Sequence, residues 1–404
     1  MKTFRLPACL ILAWAFAHAA FSETTAPVVK LSPLATQGPK PVAIEPPSAA
    51  ELASSIERGI EFLLADQRPD GEWGSAEQTK GLNIYAPIPG AHQAFKSAVT
   101  SLVLMALVEA EPTLSGELRE KVGLVIERGE TWLIEHVGNV RRATPDAIYN
   151  VWAHAYGLQA LVTLYERAEG DEAKQKQLRA LAEGEIEKLN RYAAVNGGWG
   201  YYDFDYGTKV PGGSPTSFTT ATALIALHEA KGIGLEVPQK MVDKAIASIH
   251  RQQKSDFSYA YGEYLRMMPM MGINRPGGSL GRSQACNLAL RLFGDQRVTD
   301  EVLSTWLNRL FARNGWLSIG RKRPVPHESH FAVAGYFYYY GHLYAAMCIE
   351  QLPESERAYF QDHLASIMLP LQERDGSWWD YPFYNYHQQY GTAMAVMTLL
   401  RCQR

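Results

Sequence analysis

A pattern that returns at intervals of about 60 residues constrains the fold of this chain more than any other feature. The string Ile-Glu-Arg-Gly occurs at 56–59 and again at 126–129, each time followed by apolar positions at helical spacing. A Gly/aromatic turn recurs after such helices, and its aromatic residues are Trp73, Trp199, Tyr259, Trp316 and Trp378. The first interval in that series is about twice the others, so one unit lacks its turn, near 137–142. Such repetition predicts an array of similar supersecondary units.

Each turn leads into a further apolar helix, often rich in small residues. These helices, which we name inner, are predicted at 96–109, 149–164, 217–229, 282–293, 330–349 and 388–400. The helices before the turns are named outer, and no alternating apolar run is long enough to predict a sheet. One hairpin cannot bury both of its faces, whereas its neighbours in a ring can cover them. The sequence therefore predicts an all-α fold, an (α/α)6 toroid of six helical hairpins, with an open solenoid as the alternative.

The residues before the repeats predict an exported protein. Two basic residues precede an apolar run over 8–16, and an Ala-His-Ala cleavage pattern follows at 17–19, so we assign 1–19 as a signal peptide. Residues 20–47 are proline-rich and aperiodic, which predicts an extended linker. The toroid domain is predicted over 48–404, beginning with a capping box of Ser48 and Glu51. The expected location is secreted or periplasmic.

Composition narrows the range of partners. A formal charge of −3 and a pI near 6.4 give no reason to expect a nucleic acid or an anionic membrane. No stretch after the signal is long and apolar enough to predict a transmembrane segment. The mature chain keeps three cysteines, Cys286, Cys348 and Cys402, and an odd number argues against a disulfide framework. The oligomeric state is left open.

Two of the turns carry a more specific resemblance. Gln67 to Trp73 and Gln372 to Trp378 both read Gln-x-x-x-Gly-x-Trp, the string called a QW motif in squalene–hopene and related cyclases. The chain thus resembles the prenyltransferase/squalene-oxidase repeat family over nearly all of 48–404. The resemblance implies the α/α toroid of terpenoid cyclases and protein prenyltransferases, and an isoprenoid-like or lipid-like ligand in its central cavity. From the residues alone, the Gln, Gly and Trp of the motif are expected to join helix ends.

The catalytic strings of that superfamily are absent. The Asp-x-Asp-Asp of squalene cyclases is reduced to Asp203-Phe-Asp205, and neither the Asp-x-Cys of zinc-binding prenyltransferases nor the Cys-Gly-Glu-Gln of thioester proteins occurs. We therefore expect no metal and no cofactor, and leave open whether the chain is an enzyme. Because the same toroid carries many different functional sites, the Gly/aromatic turns predict the fold but not the function.

The starts of the inner helices are the places to search for chemistry. Parallel inner helices would gather their N-termini around one mouth, where an anionic group is favoured. The candidate catalytic residues near these starts are His154, Asn150, Arg282, His330 and Tyr338. Asn150 and His154 share a helix face, and His327 and His387 are expected to converge with His154 on the same mouth. Each has a structural alternative, such as a hydrogen-bonded core histidine, and the spacing of His327 and His330 also resembles a metal-ligand pair.

Three functions remain open at this point. The first is binding or processing of an isoprenoid or lipid, for which the Met-rich loop 265–281 is either a lid or a packed segment. The second is a polysaccharide lyase or hydrolase, in which Asn150 neutralises charge, His154 is the base, Arg282 clamps the substrate and Tyr338 is the acid. The third is a non-catalytic interaction module. Substrate and reaction are not defined by the sequence.

Overall fold

The computed structural model describes residues 31–81, 88–203, 210–212 and 214–404. Within this part, Leu31–Arg404 forms one compact unit. The signal-peptide prediction for 1–19 lies outside the described residues, as does Asp205.

The described residues form six helical hairpins and no strand, since their extended segments make only isolated bridges. The outer helices are α2 (Ala49–Ala65), α4 (Gly116–His136), α6 (Glu172–Tyr192), α8 (Gln239–Gln252), α10 (Asp300–Ala312) and α13 (Glu354–Met368). The inner helices are α3 (His92–Ala110), α5 (Val151–Arg167), α7 (Ser217–Gly232), α9 (Leu280–Leu292), α12 (Phe337–Glu350) and α14 (His387–Leu400). Two short helices are α1 (Pro33–Thr36) and α11 (Asn314–Ser318).

The inner helices form a closed ring. Each packs against the next in chain order, and α14 packs against both α3 and α2. The (α/α)6 toroid predicted from the repeats is thus confirmed, and closure lets every hairpin bury both of its sides. Inner helices are consequently buried over most of their circumference. The segment Pro89–Thr113 is long and apolar enough to cross a membrane, but 72% of its most apolar window is buried inside the protein, as in a core helix.

Two of the Gly/aromatic turns, those of Trp73 and Trp378, connect one hairpin to the next outer helix around the ring. The Trp73 indole N–H donates to the Leu63 carbonyl at 2.7 Å, and the Gln67 amide donates to the Val125 carbonyl of α4 at 2.9 Å. A Cβ on Gly129 would lie 2.8 Å from the Trp73 ring. The glycine of the recurring Ile-Glu-Arg-Gly string therefore leaves room for the Trp ring to pack against the helix backbone.

The same contacts recur where the ring closes. The Trp378 indole donates to the Met368 carbonyl at 3.1 Å, and the Gln372 amide donates to the Ser55 carbonyl of α2 at 2.9 Å. The Trp378 ring lies on Gly59, the glycine of the first Ile-Glu-Arg-Gly string. The last turn thus holds the first outer helix as Trp73 holds α4.

Three local predictions differ from the structure. The fifth inner helix begins at Phe337 rather than at 330, because Phe331 and Ala332 have left-handed φ values of 64° and 54° and break the helix. Trp316 lies in α11 and is 40% exposed, so it is not a buried turn residue like Trp73. The described end of the proline-rich linker is packed on the body instead of extending freely, because Arg309 of α10 donates hydrogen bonds to the carbonyls of Leu34 in α1 and of Gln37 just after it.

Candidate functional site

A cavity of about 680 Å³ lies inside the ring, near the N-terminal ends of the inner helices. More than half of its lining residues are aromatic. They are Phe95, Tyr149, Trp152, Tyr156, Tyr201, Tyr202, Phe218, Tyr336, Phe337, Tyr340, Tyr381, Phe383 and Tyr390. Concave sites lined by aromatic rings with a few polar groups are typical of small-molecule binding. This cavity is therefore the candidate functional site.

Charged groups are sparse on the cavity wall. Apart from tyrosines, the titratable lining residues in the described part of the chain are Asp146 and His327, and no Lys or Arg lines the cavity there. Asp146 is exposed and accepts a hydrogen bond from the Thr144 hydroxyl at 2.6 Å, which lowers its pKa. The mouth expected to attract an anion thus carries a carboxylate.

His327 is a neutral hydrogen-bond acceptor in the wall. Its Nδ1 lies 2.8 Å from the Ala332 carbonyl, which can only accept, so Nδ1 carries the proton. Its Nε2 then accepts from the Tyr336 hydroxyl at 3.2 Å. Burial lowers the pKa of His327, which keeps the ring uncharged at neutral pH.

Asp380 lies directly behind the wall and is fully buried. The Tyr390 hydroxyl donates to its Oδ1 at 2.6 Å, and the Tyr339 backbone N–H in the first turn of α12 donates to its Oδ2 at 3.1 Å. Burial raises the pKa of Asp380 to about 7, against the effect of both hydrogen bonds. Because Tyr390 lines the cavity, a carboxyl that exchanges its proton near neutral pH is one hydroxyl away from a ligand.

The predicted pair Asn150 and His154 is present but faces away from the cavity. The Asn150 amide lies 3.1 Å from His154 Nε2, and His154 Nδ1 lies 2.5 Å from a carboxylate oxygen of Glu185 on the outer helix α6. His154 and Glu185 are almost completely buried, and Lys188 adds an ion pair to Glu185 at 2.8 Å. Neither Asn150 nor His154 lines the cavity.

Arg282 is buried behind the wall and holds backbone carbonyls. Its guanidinium donates to the Tyr259 carbonyl at 2.9 and 3.1 Å, to the Gly278 carbonyl at 2.7 Å, and to the Ile273 carbonyl. It forms no ion pair among the described residues. It does not line the cavity, although its guanidinium lies 5.9 Å from the ring centre of Tyr261.

The other candidates do not converge either. His330 is exposed, packs edge-on against Phe331 and does not line the cavity. In the described part of the chain no three His, Cys, Asp or Glu side chains are grouped to hold a metal ion. The Tyr338 hydroxyl donates to the side chain of Asn314 at 2.7 Å, away from the cavity. His387 donates to the Tyr384 carbonyl and likewise does not line it.

Helical spacing separates the lining residues from the predicted ones. On α5, Trp152 and Tyr156 line the cavity, whereas His154 lies on another face. In the tyrosine-rich start of α12, Phe337 and Tyr340 line it while Tyr338 points outward. The i, i+3 and i+4 spacing in the sequence already separates the lining residues from the other residues of each helix. The sequence does not show which of these helix faces points toward the centre of the toroid.

The Met-rich loop fits neither of its two predicted roles. Met267, Met268, Met270 and Met271 are 83%, 56%, 71% and 45% exposed, so they are not packed on the body. None of them lines the cavity. The loop backbone is nevertheless fixed, because the Asn274 amide donates to two loop carbonyls at 2.9 Å.

Comparison by sequence finds similarity over only part of the chain. No protein-family model matches the chain. A lanosterol synthase of Aspergillus fumigatus is 28% identical over 125 residues, which is 30% of this chain. The match spans only 16% of that synthase.

Comparison by structure identifies the same ring in proteins with different activities. The type II terpene cyclase MstE from Scytonema is similar at a TM-score of 0.50 and 13% identity, covering 88% of this chain and 99% of that one. An alpha-1,6-mannanase of a Salegentibacter species reaches 0.51 at 13% identity, covering 87% and 98%. The unsaturated glucuronyl hydrolase of a Bacillus species reaches 0.51 at 15% identity, covering 88% and 97%. The fold is therefore a terpenoid-cyclase-like α/α toroid, which glycosidases also use.

Proposed function

We propose that this chain binds a neutral, isoprenoid-like ligand in the aromatic cavity. The observation that carries the proposal is the lining, in which aromatic rings surround about 680 Å³ and no described Lys or Arg side chain takes part. Binding to such a wall is favourable because it removes apolar surface of the ligand and of the aromatic rings from water. A diphosphate head would need cations that the wall does not supply, so a neutral terpene-like or lipid-like molecule fits better than a prenyl diphosphate.

The similarity to a lanosterol synthase and to a type II terpene cyclase supports this ligand class. Chemistry on the ligand would have to use groups other than the cyclase motif, which this chain lacks. The Asp380–Tyr390 pair is the group that we assign to proton exchange with a bound ligand, because its carboxyl titrates near neutral pH.

The fold supports the glycosidase alternative as well as it supports the isoprenoid one, since the mannanase and the glucuronyl hydrolase share the toroid. A polysaccharide lyase or hydrolase was predicted to use Asn150, His154, Arg282 and Tyr338 around one substrate, and none of these side chains lines the cavity. A purely structural module needs no open cavity of this size. On the sequence alone, we further propose that the chain is exported to a secreted or periplasmic location.

Native mass spectrometry of the purified chain with geranylgeraniol, squalene, geranylgeranyl diphosphate and mannotriose tests the proposal. We expect the two neutral isoprenoids to bind, the diphosphate to bind more weakly, and mannotriose not to bind. Replacing Ala98 of the wall by Phe narrows the cavity and should weaken binding at least about tenfold. Leu124→Phe adds the same ring on the exposed side of α4 and should leave ligand affinity unchanged. Failure of both neutral isoprenoids to bind would refute the proposal.

A further inference from the structure

A second cavity, of about 820 Å³, lies at the opposite end of the ring, where the inner helices end. Four glutamates from four inner helices line it, namely Glu109 of α3, Glu166 of α5, Glu229 of α7 and Glu350 of α12. Helix C-terminal ends already carry a partial negative charge, so each glutamate adds to the local negative potential. The arrangement is unfavourable for helix stability and favours a cation in the cavity.

The protein's own cations compensate only part of this charge. Arg401 forms ion pairs with Glu109 and, at 3.3 Å, with Glu350. Arg357 donates to the backbone carbonyls at the end of α12. Glu229 has no ion-pair partner among the described residues, and burial raises its pKa to about 7. The cavity wall therefore holds a carboxylate without a paired cation.

Gln159 gives an independent indication of a ligand. It lines the same cavity and is only 6% exposed. Its Nε2 donates to both carboxylate oxygens of Glu229 at 3.0 Å, whereas its Oε1 has no hydrogen-bond partner within the described part of the chain. Buried amide oxygens are nearly always satisfied. A carboxylate beside an unsatisfied amide oxygen matches a ligand that brings both positive charge and N–H donors.

We propose that this cavity binds a primary ammonium compound with an aliphatic body. Its ammonium group donates to Glu229 and, once the Gln159 amide turns its buried oxygen toward the cavity, to Gln159 Oε1. Its hydrocarbon body lies against Met105, Leu343 and Met347. A quaternary ammonium lacks the N–H that Gln159 requires. A metal ion fits less well, because no three metal-ligating side chains are grouped in the described residues.

Isothermal titration calorimetry of the full chain with hexylammonium tests this site at pH 8, where Glu229 is mostly ionised. Hexyltrimethylammonium and hexanol are matched probes that lack the N–H donors and the charge, respectively. We expect hexylammonium to bind at least about tenfold more tightly than either, since hydrogen bonds to charged groups are the stronger kind. No detectable binding of hexylammonium, or equal binding of hexanol, would overturn the proposal.

Variants locate the site and separate it from non-specific charge effects. Glu229→Gln keeps the shape and should weaken hexylammonium binding about tenfold. Glu187→Gln makes the same change on the exposed face of α6 and should leave binding unchanged. If Glu229→Gln does not fold, as judged by circular dichroism, the exposed rim residue Glu166 provides a milder variant. Glu166→Gln should weaken binding about twofold, and an unchanged affinity would then count against the site.

Discussion

The indole of Trp378 lies on Gly59, so that a Cβ at Gly59 would come 2.8 Å from ring atom Cζ3. This contact joins the last Gly/aromatic turn to the first outer helix, and Trp378 is fully buried. Because the ring cannot move without losing its hydrogen bond to Met368, space for a side chain has to come from shifts of the two helices. The contact is therefore a sensitive reporter of ring closure.

Replacing Gly59 by Ala should lower the free energy of unfolding by about 1–3 kcal/mol, because overpacking outweighs the gain in helix propensity. Urea denaturation followed by tryptophan fluorescence measures the change. Gly184→Ala on α6 is the matched control, since a Cβ there meets nothing within 4 Å and should raise stability by about 0.5–1 kcal/mol. Equal stabilisation by both substitutions would show that Trp378 does not constrain this position.

Asp380 should make stability fall as the pH rises. Its folded-state pKa of about 7 lies above the ordinary value of 3.8, so the folded chain holds a proton that the unfolded chain releases. That contribution is complete below about pH 4 and is lost as the pH passes through about 7, at about 1.4 kcal/mol for each unit of pKa difference. The melting temperature of the wild type should therefore drop relative to that of Asp380→Asn between pH 5 and pH 8. Other titrating groups cancel in this comparison, and parallel curves for the two proteins would contradict the expectation.

The sequence predicted the ring more reliably than the site, for a physical reason. Trp73 and Gly129 belong to motifs that form contacts between successive hairpins. These motifs recur along the chain at the length of one repeat, so the sequence shows the repeat directly. His154 was singled out by residue type, whereas its role depends on which face of α5 meets the cavity. That direction is set by packing against α6, where Glu185 lies 31 positions further along the chain.

His154 should prove essential for stability and dispensable for binding. His154→Ala leaves Oε2 of the buried Glu185 without its hydrogen-bond partner, although Lys188 still pairs with Oε1, and it opens a cavity. We therefore expect a loss of about 3–5 kcal/mol in the free energy of unfolding. Isoprenoid affinity should not change for the folded fraction, because the side chain does not line the aromatic cavity. Native mass spectrometry and chemical denaturation measure the two properties separately. A stable variant that no longer binds the isoprenoid would show that His154 is needed for ligand binding.

Arg282 should act as the clamp that fixes the Met-rich loop. It donates hydrogen bonds to the carbonyl of Tyr259, which precedes the loop, and to the carbonyls of Ile273 and Gly278 within it. Arg282→Met keeps most of the side-chain volume but leaves these buried carbonyls without their charged donor, at a cost of about 1–3 kcal/mol each if no water replaces it. The loop should then open more often than the rest of the fold.

Limited trypsin digestion measures that opening, because Arg266 is an exposed cleavage site within the loop, whereas Arg275 is followed by Pro276 and resists trypsin. Cleavage there should be at least about tenfold faster in Arg282→Met than in the wild type, since proteolysis follows the population of the open form. Arg291→Met, on the same helix but bonded to Val298 and Asp300, should leave the loop cleavage rate unchanged. Equal rates in all three proteins would mean that other hydrogen bonds, such as those from Asn274 and Arg275, fix the loop without Arg282.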